Sequence, residues 1–204
     1  MNQIYFITSA PIQYEFGRLN IYQSFTSVSK GEVFAPLSLS ASDDLNGKKF
    51  EFQVGDITNI FTASSGQTLE TGKMFVKHYK HLRLVSTELL NPILFDMENL
   101  ISEKDFFSMD LDNALNVART NFVKSFYKGK LKESKNNLVK RFDQLLQLLK
   151  SNPKSVVIGH AFFLKLLEIY LFNKEAFESE DALLKAFNPN QRPFNALEGF
   201  VYLS

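Results

Sequence analysis

The stretch Ser155-Val156-Val157-Ile158-Gly159-His160 constrains this chain more than any other. Residues 155–159 carry no charge and read as a strand buried on both faces. Ala161–Phe172, a helix apolar nearly all round, follows with no linker. A second such strand, Gln3-Ile4-Tyr5-Phe6-Ile7-Thr8, runs into the loop Ser9-Ala10-Pro11. Further short runs rich in Val, Ile, Phe and Tyr stand at Thr58–Thr62, Leu82–Ser86 and Gly199–Leu203. Strands apolar on both faces belong in the middle of a sheet covered by helices. The order, strand and helix in alternation, predicts a mostly parallel sheet in a three-layer α/β/α sandwich.

The helices fall between the strands. Leu69, Gly72, Val76 and Tyr79 share one face over about 67–80. Leu111, Leu115, Ala118, Phe122 and Phe126 mark a second helix. Leu138, Phe142, Leu145, Leu146 and Leu149 mark a third, which Pro153 limits. Each set keeps the i, i+3/i+4, i+7 spacing of an amphipathic helix. Residues 19–57, 89–109 and 173–198 read as irregular, although Asp44-Leu45-Asn46-Gly47 has the residues of a turn or a helix start. None of these stretches has a linker's composition, so a single domain over 1–204 is expected.

Composition then excludes several classes of function. The net charge of +1 gives no global field to recruit nucleic acid or membrane. Without cysteine there are no disulfides, no thiol catalysis and no Cys-ligated metal. No segment reaches the roughly 18 apolar residues of a membrane span, and the N-terminus lacks a signal-peptide pattern, so a cytoplasmic protein is expected. The 21 phenylalanines, with no tryptophan, are expected to fill a Phe-rich core rather than stack on a ligand.

Several motifs in this order resemble the histidine phosphatases, the phosphoglycerate-mutase-like superfamily. That family places Arg-His-Gly at the end of its first strand, with the histidine as nucleophile; here Thr8-Ser9-Ala10 stand there. Tyr14-Glu15 sits where the family often has Trp-Asn. Ala63-Ser64-Ser65-Gly66-Gln67-Thr68-Leu69-Glu70-Thr71-Gly72 is similar to the family's Ser-Pro-Leu-x-Arg-Ala-x-x-Thr-Ala, with Thr71 on the threonine and Gln67 on the phosphate-binding arginine. Glu133-Ser134 followed by Arg141 is similar to a family pattern, and His160 matches the second histidine. Glu88 follows the third strand, near the place of the family's proton donor, but its neighbours fit that motif poorly and a solvated loop glutamate is expected. The resemblance implies a phosphoglycerate-mutase-like fold, with a pocket beyond the carboxyl ends of the strands where Ser9, Gln67 and His160 converge.

The same comparison argues against the family's chemistry. A phosphoryl group carries about two negative charges, which guanidinium groups meet bidentately. A histidine in line takes the group as a covalent intermediate. Both arginines and the nucleophile are replaced here, by Thr8, Gln67 and Ser9. Each lost charge-assisted hydrogen bond is worth roughly 1.5–3 kcal/mol. The expectation is a catalytically degenerate relative with a binding or regulatory role, not an enzyme, with no catalytic residue assigned. The alternative is a rewired hydrolase or phosphatase in which Ser9 attacks with His160 as its base, although no orienting third group is identifiable. A purely structural protein with a filled pocket is a further alternative.

No cofactor and no metal are expected. His78 and His81 stand three apart, but Lys77, Lys80 and Arg83 crowd them, which fits a solvated basic helix end. Seven Lys or Arg residues with one acid, Glu133, lie between Lys124 and Arg141, after an acidic stretch over 96–112. The basic run is expected to be a solvated helix face. The partner is expected to be an unidentified small ligand or protein, with no nucleic acid and no membrane, and a homodimer is left open.

Overall fold

The structure, a computed structural model, describes residues 3–13 and 21–203. Tyr14 and Glu15, matched above to a family motif, lie outside them.

Five strands form one sheet in the order β3-β2-β4-β1-β5. They are β1 (Gln3–Thr8), β2 (Asn59–Thr62), β3 (Arg83–Ser86), β4 (Ser155–Gly159) and β5 (Gly199–Leu203). The first four run parallel, and β5 pairs antiparallel with β1. All five lie where the sequence places them, although β2 and β3 each begin one residue later. One expectation is corrected. β3 and β5 are apolar in composition but form the two edges, and both are only half-buried. Composition reports that a strand can be buried; only the pairing order decides which strands are.

Side chains alternate across the sheet, and each face builds its own core. Ile4, Phe6, Phe61 and Val157 point to one side. There they meet α5 (Leu111–Tyr127), α6 (Lys135–Lys150), α7 (Ala161–Phe172) and α8 (Glu180–Phe187). Ile7, Ile60, Val156 and Ile158 point to the other side, against α2 (Ala41–Gly47), α3 (Gly66–His78) and the loop carrying Phe52 and Ile57. β4 is buried at every residue, as its uncharged sequence requires. Phe6, Phe61, Phe75, Phe122, Phe142 and Phe163 are among the largest fully buried side chains, so the phenylalanines do build the core.

Four short helices arise where the sequence reads as irregular. These are α1 (Ile21–Lys30), α2, α4 (Glu103–Ser108) and α8. Three of the four have eight residues or fewer, too short to develop several turns of periodicity. Local capping gives some of them away in hindsight. Ser102 accepts from Asp105 N at the start of α4, and Ser179 from Ala182 N at the start of α8. The acidic stretch over 96–112 is largely this same device, with Asp110 capping α5 and Asp96 capping a short 3-10 turn. Among the described residues no helix is long and apolar enough to cross a membrane.

The entry to β5 is sterically narrow. A Cβ on Gly199 would lie 1.8 Å from the Phe6 carbonyl oxygen, a backbone atom that cannot swing aside. Gly199→Ala is therefore expected to destabilise the protein by about 3 kcal/mol, read as a lower urea midpoint.

Candidate functional site

The site sits where β1 and β4 end together. Thr8 is the register partner of Gly159, so Ser9 and His160 leave neighbouring parallel strands side by side. Gly159 leaves room there for the Leu164 side chain, which a Cβ would meet at 2.7 Å. His160 is the N-cap of α7, and its carbonyl accepts from Leu164 N at 2.9 Å. The third segment arrives from β2. The chain turns through Ser65, and Gly66, at φ +77°, opens α3 in a conformation other residues resist. That turn puts Gln67 in the first turn of α3, facing the histidine.

Gln67 Nε2 lies 3.2 Å from His160 Nδ1. With the amide nitrogen donating, Nδ1 is the acceptor and the neutral ring carries its proton on Nε2. Nε2 is buried and has no hydrogen-bond partner among the described residues. Burial, with the Arg141 charge as a smaller contribution, pushes the imidazole down to about 4. His160 is thus neutral at physiological pH.

Thr8 is committed elsewhere. Its hydroxyl donates to Asn195 O at 2.5 Å and approaches Glu198 O at 3.2 Å. The backbone repeats the join: Thr8 N donates to Glu198 O, and Leu197 N to Ser9 O at 3.2 Å. Leu197, buried at φ +58°, is held in a left-handed conformation by this clamp. Thr8 therefore fastens the 195–199 segment to β1. Ser9 is half-buried, and among the described residues no hydrogen bond joins it to His160.

Thr71 is placed by the same logic. Its hydroxyl donates to Gln67 O at 2.7 Å and accepts from Ala10 N at 3.0 Å. One buried side chain thus fixes the loop after β1 against the first turn of α3. Nearby, Thr68 Oγ1 is buried with no hydrogen-bond partner among the described residues.

Arg141 is the cation the sequence leaves unassigned. It rises from α6 beneath the site, with Nη2 2.8 Å from Glu133 Oε2 and Nη1 donating to Asn91 O at 3.0 Å. Its guanidinium covers the Phe163 ring at 4.8 Å. Asn91 Oδ1 in turn accepts from Ser64 Oγ at 3.0 Å, so this network joins α6 to the loops after β2 and β3. Nothing in the sequence signals that the Glu133–Arg141 pair stands near His160.

The remaining candidates stand apart. Glu88 opens a short 3-10 turn with its side chain exposed. His78 approaches Ser42 Oγ at 3.2 Å and His81 the Val54 carbonyl at 3.2 Å, so the two imidazoles go to different partners. Among the described residues no three His, Cys, Asp or Glu side chains gather as a metal site would need. Within the basic run, Lys128 pairs with Glu180, and Lys135 bonds the Phe177 carbonyl and covers the Tyr127 ring. Two surface cavities, of about 380 and 310 Å³, are lined by residues around Gln3 and Lys154 and around Lys48 and Phe200. Neither is lined by Ser9, Gln67 or His160.

Neither a protein-family model nor a curated protein matches the sequence. Solved structures do resemble it. An Escherichia coli protein assigned as an alpha-ribazole-5'-P phosphatase aligns over 87% of this chain and 84% of its own, at 14% identity and a TM-score of 0.53. A phosphoglycerate mutase from Bacillus anthracis aligns over 86% and 82%, at 11% identity and a TM-score of 0.49. Bacillus stearothermophilus YhfR aligns over 84% and 80%, at 14% identity and 0.49. The chain has a phosphoglycerate-mutase-like fold.

Two predictions rest on this geometry. The histidine's depressed value means that the unfolded chain binds the extra proton first as pH falls. Its contribution to stability is complete above about 6.5 and is lost as pH falls from there towards about 4, by up to roughly 3 kcal/mol. Urea titrations at several pH values should show this loss, and His160→Gln should remove it. Thr8→Val keeps the shape but deletes the donor to Asn195 and Glu198. It should cost about 1–2 kcal/mol and speed amide exchange over 195–199.

Proposed function

We propose that residues 1–204 form one catalytically degenerate histidine-phosphatase-like domain, which acts in the cytoplasm by binding, as a partner-recognition or regulatory module, and not by turning over phosphate esters. The observation that carries this reading is the Gln67–His160 hydrogen bond, with a neutral imidazole whose Nε2 is closed off. A phosphoryl group needs fixed positive charge where it binds. The glutamine and threonine at the family's two arginine positions offer none. The cation nearby, Arg141, is already offset by Glu133.

The serine hydrolase alternative gains no support from the same geometry. A base for Ser9 needs one ring nitrogen free to take its proton and the other held by an orienting group, usually a carboxylate. Nδ1 meets an amide, which brings no negative charge to the imidazolium that would form. The depressed value also makes His160 a poor proton acceptor at neutral pH.

The test is direct. Purified protein should not hydrolyse p-nitrophenyl phosphate, and phosphate or vanadate should not raise its melting temperature. Turnover that survives repurification and is abolished by Ser9→Ala or His160→Ala would overturn the reading. Restoring the charge and the nucleophile with Gln67→Arg and Ser9→His spares the Thr8 clamp. That double variant should gain vanadate affinity that weakens with added salt.

A further inference from the structure

The outer edge of β5 has no strand beside it among the described residues. Thr8 N donates to Glu198 O, so residue 198 directs its peptide groups at β1. In an antiparallel ladder the direction alternates by residue. Phe200 and Tyr202, the register partners of Phe6 and Ile4, therefore also face β1. Gly199, Val201 and Leu203 direct their N–H and C=O groups away from it. Among the described residues nothing bonds to that side.

Edges of this kind are normally blunted by charge, proline or a bulge. The opposite edge, β3, carries Arg83. The β5 sequence, Gly-Phe-Val-Tyr-Leu, has no charge and no proline, and its register against β1 is unbroken by a bulge. Phe172, beside it on α7, is 59% exposed, and Leu203 is 51% exposed. Phe172 packs edge-on against Phe200 and Tyr202, so the aromatic cluster continues up to the open edge.

We propose that this edge pairs, antiparallel and about a two-fold axis at Val201, with β5 of a second copy of this chain. A second copy of this edge matches the free peptide groups in one register. An axis at Val201 sets Val201 against Val201 of the partner subunit and Gly199 against Leu203 of the partner subunit. Every free N–H then meets a free C=O, three in each direction. Moving the axis by one residue leaves one end of each edge unmatched: Leu203 would face Leu197, whose N–H is already given to Ser9. The same register sets Phe200 across from Tyr202 of the partner subunit, an aromatic cross-strand pair, and opposes no like charges. Because the pairing is isologous it uses up both edges, and the assembly closes as a dimer rather than growing into a fibre. A single five-residue strand with its flanking aromatics makes a small interface, so dimerisation is expected in the micromolar range.

The experiment is light scattering and sedimentation of the full chain over a rising concentration series, with Val201→Lys and Val201→Glu alone and mixed. The wild type should move from monomer to dimer mass. Each variant places like charges face to face and should stay monomeric, and the equimolar mixture should regain the dimer and lose it again at high salt. That recovery also shows that both variants fold. Amide exchange of the wild type gives a reading that needs no variant. Phe200 and Tyr202 should be protected at all concentrations, and Val201 and Leu203 only where the dimer forms. A wild type monomeric throughout, variants that dimerise like the parent, monomeric variants that do not recover on mixing, or protection of Val201 in dilute monomer would each overturn the proposal.

Discussion

The parallel pairing of β1 with β4 is the constraint from which the rest follows. These two strands share a register from Ile4 and Ser155 to Thr8 and Gly159, and both are covered by helices on each face. A sheet arranged this way presents, at the carboxyl ends of its central strands, the first residue of each following loop. Ser9 and His160 are neighbours because the core beneath them fixes where their strands stop. Chemistry can be added at that rim or removed from it without disturbing the apolar pairs below.

Hydrogen bonds between neutral groups fill the rim. A guanidinium must be desolvated and offset when no anion is bound, which is costly near a buried core. Threonine and glutamine avoid that cost by finding neutral partners: the Asn195 and Glu198 carbonyls for Thr8, and the His160 ring for Gln67. The Glu133–Arg141 pair still ties α6 to the loops above, and its charge helps keep His160 neutral. Thr8, Gln67 and Thr71 hold the loops of the rim to one another.

Much of this was legible in the sequence, for reasons particular residues make plain. β4 and α7 could be read because uncharged residues run from Ser155 to Ala161, and only a buried strand and helix explain them. His160 and Gln67 could be brought together because each follows a strand. Their hydrogen bond was not foreseeable, since it depends on the left-handed turn at Gly66 that sets the start of α3. Thr8's partners were hidden for another reason. Asn195 and Glu198 accept through backbone carbonyls, which every residue possesses, so side-chain identity carries no trace of the contact. The short helices α4 and α8 escaped because their signal lies in a single capping serine rather than in any period.

The strand order also governs how this chain can fold as it is made. β1 is made well before its neighbours, since β4 and β5 begin at residues 155 and 199. At ordinary rates of synthesis, about 10–30 s pass before β4 exists to pair with it. During that time a strand holding Ile4, Phe6 and Ile7 has neither ladder nor covering helix. The geometry that buries the centre of the sheet so well in the finished protein leaves β1 waiting, through most of its synthesis, for the strands that will flank it.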